Sequence, residues 1–307
     1  MKGLVIKNTG SWYQVRTDQE EIFECKIKGN LRLKDIKSTN PIAVGDFVEF
    51  TAIEEKVGLI SGIYDRKNYI IRRSSNLSKQ SHILAANLDL VVLVITIRYP
   101  ETSTIFIDRF IASAEAYNVP ACILINKIDL YTEDEMQYAE ALKTLYESIG
   151  YPVFMLSALK PDTFDTFKQF LTGKTILISG NSGVGKSTLI NAILPESLAK
   201  TGEISSYHNK GTHTTTFSQL YQLENGAKLI DTPGIKGFGT VDMEIDEISH
   251  YFKEIFKTSK KCRFTNCTHV HEPGCAVLSA VENHQISLSR YQSYLSILSD
   301  FETGKYR

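Results

Sequence analysis

Residues 180–187 of this 307-residue chain read GNSGVGKS, and this octapeptide limits the possible folds more than any other segment. It follows the apolar run TILIS and precedes the helix-like run TLINAIL, which is the context that a phosphate-binding loop requires. The glycines let backbone N–H groups close around phosphate oxygens, Lys186 supplies positive charge to the β and γ oxygens, and the Ser187 hydroxyl is placed to ligate Mg²⁺. The residues expected to contact the nucleotide are Gly180, Asn181, Ser182, Gly183, Val184, Gly185, Lys186, Ser187 and Thr188.

A second motif, NKID beginning at Asn126, indicates that the base is guanine. The carboxylate of Asp129 can accept hydrogen bonds from guanine N1–H and N2–H₂, a donor pair that adenine lacks. Asn126 would brace the loop and touch the base, and the stem of Lys127 would cover the ring. Ser157-Ala158 follows the strand-like run PVFML and matches a second base loop, in which the Ala158 N–H meets the guanine carbonyl.

Two motifs after the phosphate loop predict how the γ-phosphate and a magnesium ion are held. DTPG begins at Asp231, which would hold Mg²⁺ through water, while the Gly234 N–H would sense the γ-phosphate. The polar stretch GTHTTT (211–216) suits a mobile switch loop in which one threonine ligates Mg²⁺ when triphosphate is bound. Thr215 is favoured over Thr214 for that role.

The order of these motifs is permuted. Along this chain it is NKxD, SA, phosphate loop, switch and DxxG, whereas ordinary small GTPases begin with the phosphate loop and end with SA. Such a permutation joins the usual termini and opens the chain elsewhere, so the geometry of the site is kept. α/β domains tolerate it because their termini lie on the surface.

Local patterns divide the chain into three parts. Residues 1–68 contain five short β-like segments, which predict a small barrel, either an OB-fold or an SH3-like barrel. Residues 69–244 alternate continuous apolar runs with helix-like stretches, as in a mostly parallel α/β sheet covered on both faces. Residues 245–307 contain helix-like stretches at 246–259 and 280–301, and this tail is too small to be expected to have an apolar core of its own. The predicted barrel strands are Gly3–Lys7, Trp12–Thr17, Glu21–Ile27, Asp46–Ile53 and Gly58–Tyr64.

A loop in the tail has the spacing of a metal site, Cys-x₄-Cys-x-His-x₅-Cys. Three thiolates and one imidazole form a closed tetrahedral shell, which is typical of structural zinc. His271 is an alternative nitrogen ligand. The loop has little apolar content, so we expect the metal to stabilise it directly. The four candidate ligands are Cys262, Cys267, His269 and Cys275.

The net charge of −1 gives no global sign of a nucleic-acid partner. Residues 26–37 and residues 253–263, however, each carry five basic side chains against one acid. Taken alone, each cluster is better explained as a solvated surface than as an RNA-binding one. No window approaches the roughly 20 apolar residues of a membrane span, and the N-terminus has no apolar signal core, so a cytoplasmic location is expected.

Together these features resemble the RsgA family of ribosome small subunit-dependent GTPases. The resemblance rests on PIAVGDFVEF (41–50), GNSGVGKS, the HTTT of the switch, DTPG and the cysteine cluster, and it covers nearly the whole chain. It implies an N-terminal OB-fold (1–68), a central circularly permuted α/β GTPase domain (69–244) and a C-terminal helical zinc domain (245–307) with His269 as the nitrogen ligand. It also implies GTP or GDP, Mg²⁺ and one structural Zn²⁺ as cofactors, and GTP hydrolysis, stimulated by the small ribosomal subunit, during late maturation of that subunit.

The same resemblance favours RNA binding by the two basic clusters, because OB-folds commonly bind RNA on one face. The expected partners are the small ribosomal subunit and its rRNA, with no DNA and no membrane, and the chain is expected to be a monomer. Trp12, Tyr13 and Phe23 could stack on bases, although core packing is the stronger expectation for most of them.

One residue departs from ordinary GTPases. The position after DTPG, where many carry a glutamine that orients water, is Ile235, whose aliphatic side chain cannot do so. His213 in the switch is the nearest candidate, and a group supplied by the partner is the alternative; in either case slow intrinsic hydrolysis is expected. Two other functions stay open: a GTP-gated binding module with negligible turnover, and a zinc-dependent RNA-binding protein whose nucleotide only stabilises the fold.

Overall fold

A computed structural model describes residues 1–28, 41–73, 81–194, 218–231 and 243–302. At the N-terminus five short strands pair in a closed ring in which β1 contacts β2 and β4, and β5 contacts β3 and β4. Only the β3–β5 pair of the ring is parallel. This five-stranded barrel is an OB-fold, as predicted, and each observed strand overlaps its predicted segment. The strands are β1 (Lys2–Asn8), β2 (Tyr13–Arg16), β3 (Ile22–Ile27), β4 (Phe47–Glu54) and β5 (Val57–Ile63).

The central domain is an α/β sheet in the strand order β10-β9-β8-β11-β13-β12. Every neighbouring pair is parallel except β12–β13. Every residue of β8 is buried, and alternate residues enter two different core clusters, one on each face of the sheet. This explains why its sequence is a continuous apolar run. The strands are β8 (Leu90–Ile95), β9 (Ala121–Ile125), β10 (Val153–Met155), β11 (Thr175–Ser179), β12 (Ser218–Gln222) and β13 (Lys228–Asp231).

In the described part of this domain, four α-helices connect the strands. Ser103 caps the first helix by accepting a hydrogen bond from the Phe106 N–H, and Thr132 forms a capping box with Glu135 at the second. A hairpin that the sequence patterns did not predict, β6 (Tyr69–Arg73) with β7 (Ser81–Ala86), precedes the sheet. The helices are α1 (Thr104–Ala116), α2 (Glu133–Ser148), α3 (Asp165–Leu171) and α4 (Lys186–Ile193).

The barrel and the central domain are joined by backbone and side-chain contacts. β1 of the barrel pairs antiparallel with β12, so one sheet runs through both. The Asn87 side-chain amide of the central domain donates a hydrogen bond to the Gly45 carbonyl at 2.9 Å. Within residues 1–68, the buried carboxylate of Asp46 accepts two hydrogen bonds of 2.6 Å from the guanidinium of Arg66, which follows the barrel strands. At Gly45 a Cβ atom would lie 2.2 Å from the carbonyl oxygen of Ala86, so the turn requires glycine for this close approach. The GD of PIAVGDFVEF therefore lies at the contact between the two domains.

The C-terminal part is helical and has an apolar core, contrary to the expectation from its length. Ile248, Phe252, Ile255 and Val277 belong to this core, and Ala112 of α1 packs into it. The tail can bury these side chains because α1 of the central domain supplies one wall. The predicted helix over 280–301 is two helices, since Asn283 ends the first. The elements are a 3₁₀ helix (Ile245–Tyr251), α5 (Lys253–Ser259), α6 (Ala276–Glu282) and α7 (Leu288–Glu302).

In the described part of the chain, no helix combines the length and the apolar character needed to cross a membrane.

Candidate functional site

The predicted site residues lie where strands of the central sheet end. Asn126 directly follows β9, Ser157 lies two residues after β10, Gly180 directly follows β11, and Asp231 is the last residue of β13. These strands are parallel, so their carboxyl ends meet at one edge of the sheet, the edge where α/β proteins bind ligands. Motifs that are separated along the chain are thereby brought together despite their permuted order.

The phosphate loop passes close to other backbone and side-chain groups at two of its glycines. Gly180 has a φ of +145° and Gly185 a φ of +93°. A Cβ atom at Gly180 would lie 2.2 Å from the Val94 carbonyl oxygen, and one at Gly185 would lie 2.4 Å from the Asn126 side-chain nitrogen. Both positions therefore require glycine for conformational and steric reasons.

Lys186 begins α4 and points back into the loop. Its ammonium group donates hydrogen bonds to the carbonyl oxygens of Gly180 at 2.8 Å and Asn181 at 2.5 Å. Burial lowers the pKa of Lys186, and the negative charge of Asp231 opposes that shift. The loop lysine and the aspartate of DxxG thus lie close enough to interact, as two groups that act on the same phosphates and metal must.

Asn126 connects three loops of the site. Its buried side-chain amide donates to the Val184 carbonyl in the phosphate loop at 2.9 Å, and its side-chain oxygen accepts from the Ala158 N–H at 2.9 Å. Two hydrogen bonds of Asn126 therefore connect the base loop to the phosphate loop and to the loop at Ala158. The bond predicted between Ala158 and a guanine carbonyl would require this N–H to be shared between Asn126 and the base.

Lys127 holds the base loop against the phosphate loop from the other side. Its ammonium group donates to the carbonyl oxygens of Gly183 at 2.7 Å and Tyr99 at 2.5 Å. Lys127 has a φ of +66°, in the left-handed region, and immediately precedes the 3₁₀ turn that contains Asp129. Asp129 is half-buried, and no side chain in the described part of the structure donates a hydrogen bond to it. Its oxygens are therefore available to the two guanine donors that the motif predicts.

Tyr131 is a residue of this site that sequence reasoning missed. It lies two residues after the NKID motif, and its hydroxyl donates to the Asn126 carbonyl at 2.5 Å while accepting from the Ile97 N–H at 2.9 Å. Its position next to the motif was the only sequence signal, and tyrosine at such a position has no general meaning.

The four predicted zinc ligands come together in the tail. Their candidate donor atoms all lie within 4.8 Å of one another, and Nδ1 is the nearer nitrogen of His269. Cys262 Sγ is 3.6 Å from His269 Nδ1 and 3.9 Å from Cys275 Sγ. A tetrahedral zinc shell places two sulfurs about 3.8 Å apart and a sulfur and a nitrogen about 3.5 Å apart. The donor set therefore fits one zinc ion, with His269 rather than the exposed His271 inside the cluster.

Hydrogen bonds from neighbouring side chains hold the backbone of this loop. Tyr291 donates to the His269 carbonyl at 2.7 Å, and Tyr294 donates to the Thr268 carbonyl at 2.6 Å, both from α7. The Glu272 carboxylate accepts from the N–H groups of residues 268, 270 and 271. Burial acts to raise the pKa of Glu272, but a hydrogen bond from the Thr268 hydroxyl and these backbone bonds lower it to about 2. Such outer groups orient metal ligands.

The candidate RNA surfaces are only partly described. Tyr13 and Phe23 are buried in the barrel core, so core packing is confirmed for both. Trp12 is exposed, and the Lys26 ammonium lies 4.2 Å from its ring centroid. Beside the zinc loop, the exposed Phe256 and Phe264 carry cationic groups over their rings, from Lys260 and Arg263 respectively. Cationic and aromatic groups are thus paired on both surfaces.

Several predicted residues lie outside the described ranges. They include three candidate catalytic residues from the switch loop and the DxxG motif, and the residue at the usual water-orienting position. Three cations of the first basic cluster also lie outside these ranges. Together these residues are His213, Thr215, Gly234, Ile235, Arg32, Lys34 and Lys37.

Comparisons with known proteins agree with this architecture. The model of the RsgA GTPase family matches residues 63–241, and that of the RsgA N-terminal domain matches residues 2–60. Small ribosomal subunit biogenesis GTPase RsgA 2 of Bacteroides thetaiotaomicron is 66% identical over 307 residues, which is 100% of this chain and 99% of the relative. Small ribosomal subunit biogenesis GTPase RsgA of Phocaeicola vulgatus has the same identity and coverage.

Two crystal structures share the fold along nearly the whole chain. YjeQ from Thermotoga maritima has a TM-score of 0.78 and 36% identity, with 97% of each chain covered. YloQ, a circularly permuted GTPase, has a TM-score of 0.78 and 27% identity, with 100% of this chain and 96% of that chain covered. The resemblance drawn from the motifs is therefore confirmed. This chain belongs to the RsgA family of circularly permuted GTPases and is a GTP hydrolase.

Proposed function

We propose that this protein, when GTP is bound to it, binds the small ribosomal subunit. It hydrolyses GTP during late maturation of that subunit, and the subunit stimulates turnover. The three parts of the chain, proposed as domains at 1–68, 69–244 and 245–307, would bind RNA, bind nucleotide and bind RNA again. We expect the protein to act as a monomer in the cytoplasm. Relatives that match over their full length carry the name small ribosomal subunit biogenesis GTPase, which supports this reading.

The observation that carries the nucleotide assignment is the convergence of three loops on Asn126. Through this side chain the phosphate loop, the NKID loop and the Ser157-Ala158 loop have one fixed spacing. In this proposal Asp129 selects guanine, and Lys127 covers the ring. The contacts with the phosphates are assigned to Gly180, Asn181, Ser182, Gly183, Val184, Gly185, Lys186, Ser187 and Thr188.

For hydrolysis we assign neutralisation of the negative phosphate charge to Lys186 and to Mg²⁺. The Mg²⁺ ion would be held by Ser187 and Thr215 and, through water, by Asp231. Gly234 would sense the γ-phosphate. We assign orientation of the attacking water to His213 or to a group of the subunit, because the side chain of Ile235 has no polar atom. Zinc would be structural, bound by Cys262, Cys267, His269 and Cys275, since four protein donors leave no open position for a substrate.

Release after hydrolysis requires that the nucleotide site influence an RNA-binding surface. From the sequence, the chain leaving DxxG runs directly towards the zinc domain, which offers one connection. The fold offers a second one. The loop at Tyr99, which accepts the Lys127 ammonium, leads into α1, and α1 packs on α7, whose tyrosines hold the zinc loop. The second connection consists of physical contacts through which two states could be coupled, whereas the first is continuity of the chain.

Co-sedimentation with purified small subunits tests the proposal. The protein should pellet with subunits in the presence of a non-hydrolysable GTP analogue and largely remain in the supernatant with GDP. Large subunits serve as the control for non-specific RNA binding at the same ionic strength, because phosphate contacts alone depend strongly on salt. Equal binding with both nucleotides would favour an RNA-binding protein whose nucleotide only stabilises the fold. No binding to either subunit would remove the ribosomal function.

A further inference from the structure

We propose that Tyr131 is a positioning residue for guanine recognition, one that fixes the backbone of the NKID loop so that Asp129 faces the base. The inference rests on the guanine-specific function proposed above and adds a residue outside its motifs. It starts from the two hydrogen bonds of the Tyr131 hydroxyl, to the Asn126 carbonyl at 2.5 Å and from the Ile97 N–H at 2.9 Å.

The first bond acts on the conformation of Lys127. The Asn126 carbonyl belongs to the peptide unit that precedes Lys127, so its direction sets the φ torsion of that residue. This φ is +66°, in a region that residues other than glycine seldom adopt. A conformation of this kind persists only where the surroundings hold it. The hydrogen bond from the Tyr131 hydroxyl stabilises this conformation, because it holds the Asn126 carbonyl in the required orientation.

The second bond fixes the neighbouring loop. Ile97 begins the segment that contains Tyr99, and the Tyr99 carbonyl accepts the ammonium of Lys127. One phenol and one ammonium therefore tie the same two loops together at different points. Burial raises the pKa of Tyr131 to about 12, so the hydroxyl keeps its proton and donates at neutral pH.

Core packing and the neighbouring helix α2 fix the position of the Tyr131 ring. It packs against the main core of the central domain, and the next residue, Thr132, is the N-cap of α2. The hydroxyl is thus held by α2 and the core, while the atoms that it bonds belong to the nucleotide loops. Asp129 lies between Lys127 and Tyr131 in the chain, so a change in the Lys127 torsion moves its carboxylate directly.

The test is the affinity of Tyr131→Phe for GDP and for inosine diphosphate, whose base keeps the N1–H donor but lacks the 2-amino group. Phenylalanine leaves the Asn126 carbonyl and the Ile97 N–H without this partner. The loss of these two hydrogen bonds should weaken the affinity for GDP roughly tenfold. The preference for GDP over inosine diphosphate should fall as well, because a displaced Asp129 loses the second donor first.

Tyr138→Phe is the matched control, because Tyr138 is an exposed tyrosine on α2 and its substitution should leave both affinities unchanged. In an Asp129→Asn background, Tyr131→Phe should have no further effect on base preference, because the two residues act in series. A fully retained preference in Tyr131→Phe overturns the proposal, and so does an equal loss of affinity for both nucleotides. Absence of any guanine preference in the wild-type protein would instead refute the proposed function.

Discussion

The guanidinium of Arg290 donates a hydrogen bond to the Asp108 carboxylate at 2.7 Å, and both side chains are buried between α7 and α1. The same guanidinium bonds Glu254, and the Tyr146 hydroxyl donates to the same oxygen of Asp108 at 2.7 Å. Burial alone would lower the pKa of Arg290, but the two carboxylates raise it, so the side chain stays charged. A buried ion pair of this kind fixes the zinc domain to the GTPase domain.

Arg290→Met should therefore strongly destabilise the protein. Removing the cation leaves two carboxylates unpaired in a buried interface, and losses of about 3–5 kcal/mol are typical when one partner of a buried pair is removed. Urea denaturation followed by circular dichroism measures the change. Arg98→Met, which breaks an exposed pair with Glu135, is the control and should leave the transition nearly unchanged. Combining Arg290→Met with Asp108→Leu should recover part of the loss; equal stability of Arg290→Met and wild type would contradict the role of the pair.

Base selectivity should depend on Asp129. Asp129→Asn replaces the acceptor of two guanine donors, so GTP affinity should fall on the order of 10²-fold or more. Binding of xanthosine triphosphate should improve, because its 2-carbonyl accepts where guanine donates. Competition against a fluorescent nucleotide measures both affinities. The base-loop assignment is wrong if the variant keeps the wild-type affinity for GTP.

The tail should contain one structural zinc ion per chain. Metal analysis of the purified protein is expected to give a ratio of about one, and Cys267→Ser should lower it, since the shell then has three protein donors. Limited proteolysis after chelation should cleave the loop at 262–275, because the metal stabilises it. His271→Ala is the control, because that side chain is exposed outside the cluster. A loop that resists protease equally well without zinc would count against a structural metal.

How far the sequence predicted this site depends on whether the relevant contacts are local. The phosphate loop and the NKID loop were predicted because each is a contiguous pattern beside a buried strand. Arg290 could not be predicted, since its partner Asp108 is 182 positions away and the pairing exists only once α1 and α7 pack. The core of the tail was missed for the same reason: Ala112, which belongs to α1, completes it. Tyr131 lay next to a motif, but its function depends on Ile97 in a distant loop.

The same reasoning applies to the barrel. Its strands were predicted because each is a short β-like segment, and turn-forming residues such as Asn8-Thr9-Gly10 separate the segments, so the pattern is local in the sequence. The choice between an OB-fold and an SH3-like barrel depended on which strands pair. The parallel β3–β5 contact and the β1–β4 contact, both between strands that are not adjacent in the sequence, closed the ring.

His213 is expected to take part in orienting the attacking water, because Ile235 cannot. His213→Ala should then lose subunit-stimulated turnover while keeping its binding to small subunits with the GTP analogue. Phosphate release and co-sedimentation, measured on the same preparation, separate the two effects. His208→Ala, which changes another histidine of the same segment, is a suitable control. Undiminished turnover in His213→Ala would transfer this role to the subunit or to another residue of the chain.

The rate of phosphate release from GTP, with and without purified small ribosomal subunits, tests the proposed function most directly. The free protein should turn over slowly, and added subunits should accelerate it; groups donated by partners of other GTPases contribute factors on the order of 10³–10⁵. Lys186→Ala and Ser187→Ala should reduce the stimulated rate at least on the order of 10²-fold, since each removes stabilisation of the phosphates or of Mg²⁺. The account predicts a subunit-dependent increase that both variants lose. Equal rates with and without subunits would contradict it and favour a GTP-gated binding module.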